Sequence, residues 1–198
     1  MPFFTTIWEA ILATSLIEWL AFSTSIIYVI LAAKQLIICW LFGFIGCALY
    51  VYVCFTGNLY IESVLQSFYV VMAVVGWLTW KNSGTDDRIT KWNINTHLLN
   101  IVISGIIAVI VGFIFETYTN QVSPYVDAFT TCYSLSATFM VTKKILGNWI
   151  YWIVIDLASI YLYAQQGYNL AAVQYLIFTI LAVVGFIAWN TQYKTQKG

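Results

Sequence analysis

Asn148, Trp152 and Asp156 stand four residues apart in succession, the spacing that puts side chains on one face of a helix. Asp156 lies well inside an apolar run, whereas the other acids fall near the ends of theirs or in polar segments. A carboxylate so placed costs about 2.5–3.5 kcal/mol on membrane-insertion scales, and such groups mark ligand sites and pathways. Its charge suits a cationic ligand; the alternative is a structural hydrogen-bonding partner for a neighbouring helix. Trp77 and Trp80, three apart, also share a helix face. They either wall a binding site or belong to the aromatic belt that gathers at membrane interfaces. Gln66 and Gln174 are polar groups that lipid would not accept, and serve either helix packing or binding.

Other chemistries are poorly provided for. The chain has no H-E-x-x-H, no G-x-S-x-G and no paired acids with a histidine partner, so an intramembrane enzyme is the weaker reading. The single histidine, His97, sits in the polar segment 81–97 and reads as a solvated residue near a helix start. Cys39, Cys47, Cys54 and Cys132 form no C-x-x-C pair and read as small buried hydrophobes, so neither a metal nor a cofactor is expected. A retinal protein would need a lysine in mid-span; every lysine here lies at a span end or in a loop.

The elements that must hold these residues follow from composition. Hydrophobic residues make up 62% of the chain and charged residues 8%, against about 25% charged in soluble domains. A surface so poor in charge must face lipid. Zero net charge suggests no nucleic-acid partner. Spans need about 20 mainly apolar residues, and seven are expected: 15–33, 36–55, 61–80, 98–115, 126–142, 146–164 and 171–189. Residues 1–14 are read as an interfacial segment and 191–198 as a tail.

Lys34, Lys81, Arg88, Lys91, Lys143, Lys144, Lys194 and Lys197 then all fall on one side, with Glu9, Glu62 and Glu116 on the other. The positive-inside rule places the N-terminus outside and the C-terminus in the cytoplasm. A shift of 109 positions aligns Glu18 with Asp127, Ser25 with Ser134, Lys34 with Lys143, Trp40 with Trp149, Gly76 with Gly185 and Trp80 with Trp189. The expected fold class is therefore all-α and integral to the membrane. Two parallel three-helix repeats, 15–82 and 126–190, are joined by a loop and linker helix within 83–125 that holds the halves together. Parallel repeats are a transporter architecture with the site near the midplane.

With these residues in view, the chain resembles the PnuC-type vitamin transporters, relatives of the SWEET facilitators. Asp127-Ala128-Phe129 with Lys143-Lys144, Asn148-Trp149-x-x-Trp152, and Gly76-Trp77-x-x-Trp80 carry the resemblance, which covers about residues 18–190. It implies uptake of nicotinamide riboside across a bacterial inner membrane by facilitated diffusion with alternating access. A separate kinase would trap the substrate by phosphorylation, and the assembly would be a homotrimer. The implied substrate-binding set is Trp77, Trp80, Gln66, Asn148, Trp152, Asp156 and Gln174. Where the family carries an asparagine this chain has Asp156, which could favour another cation, thiamine, while the intact Trp77-x-x-Trp80 favours nicotinamide riboside.

Overall fold

The structure is a computed structural model and describes residues 12, 14–56, 60–83, 88–119 and 123–196. Most of the expected N-terminal segment, with Glu9, lies outside the described residues, as do Asp86, Asp87 and Lys197. The described residues form seven long helices: α1 (Leu16–Ala33), α2 (Cys39–Thr56), α3 (Tyr60–Asn82), α4 (Ile94–Tyr118), α5 (Pro124–Thr142), α6 (Asn148–Gln165) and α7 (Asn169–Thr195).

Local chemistry sets several ends. Ser15 and Glu18 close a capping box that starts α1: Glu18 N donates to Ser15 Oγ at 3.3 Å and Ser15 N to Glu18 Oε2 at 2.7 Å. Asn93 Oδ1 accepts from Thr96 N at 2.8 Å and starts α4 one turn before the expected boundary. The helix therefore begins at a cap inside the polar segment, ahead of the apolar run that opens at Leu98.

α1, α2, α3, α4 and α7 are long and apolar enough to cross a membrane; α5 and α6 are not among these five. The shortfall has a physical cause. α5 and α6 bury their polar residues inward, including Thr130, Ser134, Thr138, Asn148, Asp156 and Ser159. The α5 hydroxyls bond to their own helix: Ser134 Oγ donates to Thr130 O and Thr138 Oγ1 to Ser134 O.

α2 packs between α1 and α3, and α6 between α5 and α7. Two further interfaces, α1 with α7 and α3 with α5, join these groups. α4 packs on α5. The expected role of α4 as a tie between the halves gives way to membership of the second group. Tyr151 of α6 fixes it there: its hydroxyl accepts from Asn100 Nδ2 at 3.2 Å and lies 3.3 Å from His97 Nδ1. His97 is thus half-buried among partners rather than free in a loop.

At the lysine-bearing end the chain turns in the same way at Gln35 and Lys144, 109 apart, with φ of 54° and 49°. Gln35 N donates to Ala32 O at 2.9 Å, and Lys144 N to Val141 O at 3.0 Å. A left-handed residue after a helix is a common stop, satisfying carbonyls of the last turn. Beyond these turns lies an apolar cluster containing Trp40, Trp80, Trp149 and Trp189, all buried. Ile89 enters the same cluster from the segment after α3, where Thr90 N donates to Lys144 O and Leu146 N to Thr90 O.

Candidate functional site

A cavity of about 1140 Å³ lies between the two groups of helices. Its rim is made by Glu18, Glu62, Asp127 and the turn Gln166 to Asn169, where α1, α3, α5 and α7 begin. Its floor is made by Ala32, Trp40, Val141 and Trp149, next to the lysine-bearing ends. The volume lies slightly above the usual range of small-molecule sites, so a nucleoside-sized ligand fits with water to spare.

Among the described residues, the lining holds Glu18, Glu62, Asp127 and Asp156 and no lysine, arginine or histidine. Asp156 is 2% exposed. No side-chain hydrogen bond reaches its carboxyl among the described residues, and its polar environment is the cavity and the nearby Tyr175. A buried carboxylate left without a donor is costly, and a cationic ligand would offset that cost. The face of α6 that presents it continues the helical spacing: Trp152, Asp156, Ser159 and Tyr163 all line the cavity.

Tyrosines make up much of the cavity wall. Tyr163 and Tyr175 stack with ring centroids 5.2 Å apart and planes 12° apart. Tyr28 and Tyr69 line the wall contributed by α1 and α3. Gln174 Nε2 donates to the Tyr50 hydroxyl at 3.2 Å, which presents both groups to the cavity from α7 and α2. The arrangement can hold a flat cation against an aromatic wall and read its polar substituents with amides and hydroxyls.

Of the residues expected from sequence, Gln66, Trp152, Asp156 and Gln174 are brought together around this cavity. Trp77, Trp80 and Asn148 are not in its lining. Trp77 packs against the apolar cluster. Trp80 is buried in that cluster and donates Nε1 to Val141 O at 3.3 Å. Asn148 is fully buried at the start of α6, with Nδ2 donating to Ile145 O at 2.7 Å. Sequence reasoning missed Tyr28, Tyr69, Tyr163, Tyr175, Trp40 and Trp149. Tyr163 was open to discovery, because it extends the Asn148, Trp152, Asp156 series by seven residues along the same face. Trp40 and Trp149 were marked by the 109-residue offset, without any sign that they face the ligand space.

Residues 15–191 match the family described as "Nicotinamide mononucleotide transporter". The nicotinamide riboside transporter PnuC of Escherichia coli (strain K12) is 23% identical over 187 residues, covering 80% of this chain and 78% of that protein. The nicotinamide riboside transporter PnuC of Neisseria mucosa is 25% identical over 189 residues, covering 88% of this chain and 72% of that protein. The fold is similar to the crystal structure of the vitamin B3 transporter PnuC, with a TM-score of 0.77 at 22% identity, over 98% of this chain and 88% of that one. These proteins are named as transporters, in keeping with the expectation that the chain is not an enzyme. With several helices apolar enough to cross a bilayer, it is a multi-pass membrane protein. It belongs to the nicotinamide mononucleotide transporter family.

Proposed function

We propose that this chain takes up nicotinamide riboside across a bacterial inner membrane by facilitated diffusion. The observation that carries the reading is the buried Asp156, without a side-chain hydrogen bond among the described residues, in a tyrosine-walled cavity whose described lining holds carboxylates and no cationic side chain. Nicotinamide riboside carries a pyridinium, a carboxamide and a ribose. The pyridinium would lie by Asp156 and the stacked Tyr163 and Tyr175, with Gln66, Gln174, Tyr50 and Ser159 reading the amide and the sugar. Trp77 and Asn148 would support this site from the packed layer beneath it, and Trp80 lies in that layer without contact to the ligand. The names of the similar transporters favour this substrate. Thiamine, also an aromatic cation, is the alternative of the same chemistry.

The same electrostatics bear on phosphorylated forms. A phosphate adds about 1.5–2 negative charges at neutral pH. It would meet four carboxylates and no basic group in the described lining, so the nucleotide is a poor ligand. Phosphorylation by a separate kinase inside the cell would then trap the substrate without any coupling ion.

For the transport step we take the halves α1–α3 and α5–α7 as parallel repeats that rock about the central site, with all seven helices spanning, the N-terminus outside and the C-terminus in the cytoplasm. The matched turns at Gln35 and Lys144, and the two interfaces joining the halves, support the repeat reading. A homotrimer is the assembly the resemblance implies. The test is binding to purified protein in detergent, with nicotinamide riboside, thiamine and nicotinamide mononucleotide titrated side by side on wild type and Asp156→Asn. Tight nicotinamide riboside binding that Asp156→Asn weakens supports the reading. Preference for thiamine changes the substrate, and preference for the mononucleotide overturns the electrostatic argument.

A further inference from the structure

Between the cavity floor and the lysine-bearing end, four tryptophans form a chain. Trp40 and Trp80 meet edge to face at 5.3 Å, Trp149 and Trp189 at 5.4 Å, with interplanar angles of 84° and 88°. The contact that joins these pairs, Trp80 with Trp189, is longer and oblique, at 6.4 Å and 49°. Each tight pair belongs to one half: Trp40 and Trp80 sit on α2 and α3, Trp149 and Trp189 on α6 and α7. Each is wedged against a glycine of its own half, Gly76 under Trp40 and Gly185 under Trp149, where an added Cβ would collide with the ring. The seam between the halves therefore runs between Trp80 and Trp189.

Two indole hydrogen bonds cross that seam in opposite senses, beside a Gln35–Gln192 side-chain hydrogen bond and the Lys144 ammonium 4.3 Å over the Trp80 ring. Trp80 Nε1 donates to Val141 O at 3.3 Å, and Trp189 Nε1 donates to Ala32 O at 3.2 Å. Donors and acceptors are both related by the 109-residue offset. The acceptors have a further property. Val141 O also receives Lys144 N, and Ala32 O receives Gln35 N. A carbonyl has two lone pairs, so each stays satisfied by its own turn when the indole leaves. Of these two bonds only the indole N–H loses its partner, and it finds water at the lysine-bearing face once the seam parts, as do the Gln35, Gln192 and Lys144 side chains. These bonds can break at less cost than a buried pair whose both members would be orphaned.

We propose that Trp80 and Trp189 are the inner gate of the transporter, closed in this structure by their reciprocal bonds to Val141 and Ala32. Opening separates the Trp40–Trp80 block from the Trp149–Trp189 block and connects the floor of the cavity to the cytoplasm. The proposal rests on the transport reading given above.

Cys39, fully buried in the same cluster, is a native reporter. In a parent chain with Cys47, Cys54 and Cys132 changed to alanine, inside-out vesicles are treated with a membrane-impermeant maleimide and Cys39 labelling is timed. Trp80→Phe and Trp189→Phe keep a ring and remove the N–H. Each should speed labelling about fivefold, and both together about 25-fold, as loss of one modest hydrogen bond apiece predicts. Nicotinamide riboside binding to detergent-purified variants should stay within about threefold of the parent, showing the site intact, since each variant removes only one modest bond that does not touch it. Unchanged labelling in the double variant, or an effect confined to one position, would overturn the gate. Should the variants fail to fold, the parent decides alone: nicotinamide riboside supplied to the outer face must accelerate Cys39 labelling from the inner face, and no acceleration counts against the proposal. A parent that binds no nicotinamide riboside defeats the substrate reading, while the effect of the phenylalanine variants still judges the gate.

Discussion

Tyr163 of α6 and Tyr175 of α7 lie face to face, 5.2 Å between centroids, on the wall of the cavity that also holds Asp156. The outer face of such a pair presents negative quadrupole to a cation while the carboxylate supplies full charge. Substitution of either ring by alanine should weaken nicotinamide riboside binding about 5–30-fold, in line with a cation–π contact of about 1–2 kcal/mol. Tyr163→Phe should retain most affinity. Calorimetric titration checks this, and equal losses for phenylalanine and alanine would show that the hydroxyl rather than the ring face matters.

Binding should depend on pH through Asp156. The ionised carboxylate attracts the cation and the protonated form does not, so affinity falls as pH is lowered. Asp156→Asn should bind more weakly, by tenfold or more on the strength of a buried charge-assisted contact of about 1.5–3 kcal/mol, and its residual affinity should be flat with pH. A pH series of dissociation constants for both proteins checks this; parallel slopes would place the titrating group elsewhere.

Gly76 and Gly185 lie against Trp40 and Trp149, and an added Cβ at Gly185 would sit 2.7 Å from the Trp149 ring. Gly76→Ala and Gly185→Ala should each lower stability by about 1–3 kcal/mol through overpacking, seen as a lower melting temperature in detergent. Trp40→Phe in the Gly76→Ala background removes the ring that the methyl meets, so it should recover part of the loss. Failure of that rescue would locate the strain somewhere other than this contact.

Tyr151 joins the linker helix to the second half through Asn100 and His97. Tyr151→Phe should cost about 1 kcal/mol of stability by leaving the Asn100 amide short of an acceptor. It should leave nicotinamide riboside affinity unchanged, because Tyr151 is not part of the cavity lining. Thermal melts and titration on the same sample separate the two effects.

Much of this architecture was legible in the chain itself. Apolar length and the one-sided distribution of lysine placed seven helices, with most ends within four residues of where they lie and the end of α7 six residues short. The 109-residue register was also visible, and it named Trp40, Trp80, Trp149 and Trp189 as related positions. Spacing along α6 put Trp152 and Asp156 on one face, and that face meets the cavity. What spacing could not supply is what each face meets. Trp77 and Trp80 share a face as surely as Trp152 and Asp156 do, yet theirs turns into the apolar cluster at the lysine-bearing end. The tyrosines lining the cavity come from α1, α2, α3, α6 and α7, far apart in the chain. Periodicity fixes direction relative to one helix axis, whereas a binding site depends on how several axes pack together. That packing decided that tyrosines wall the cavity and that two tryptophans close its end.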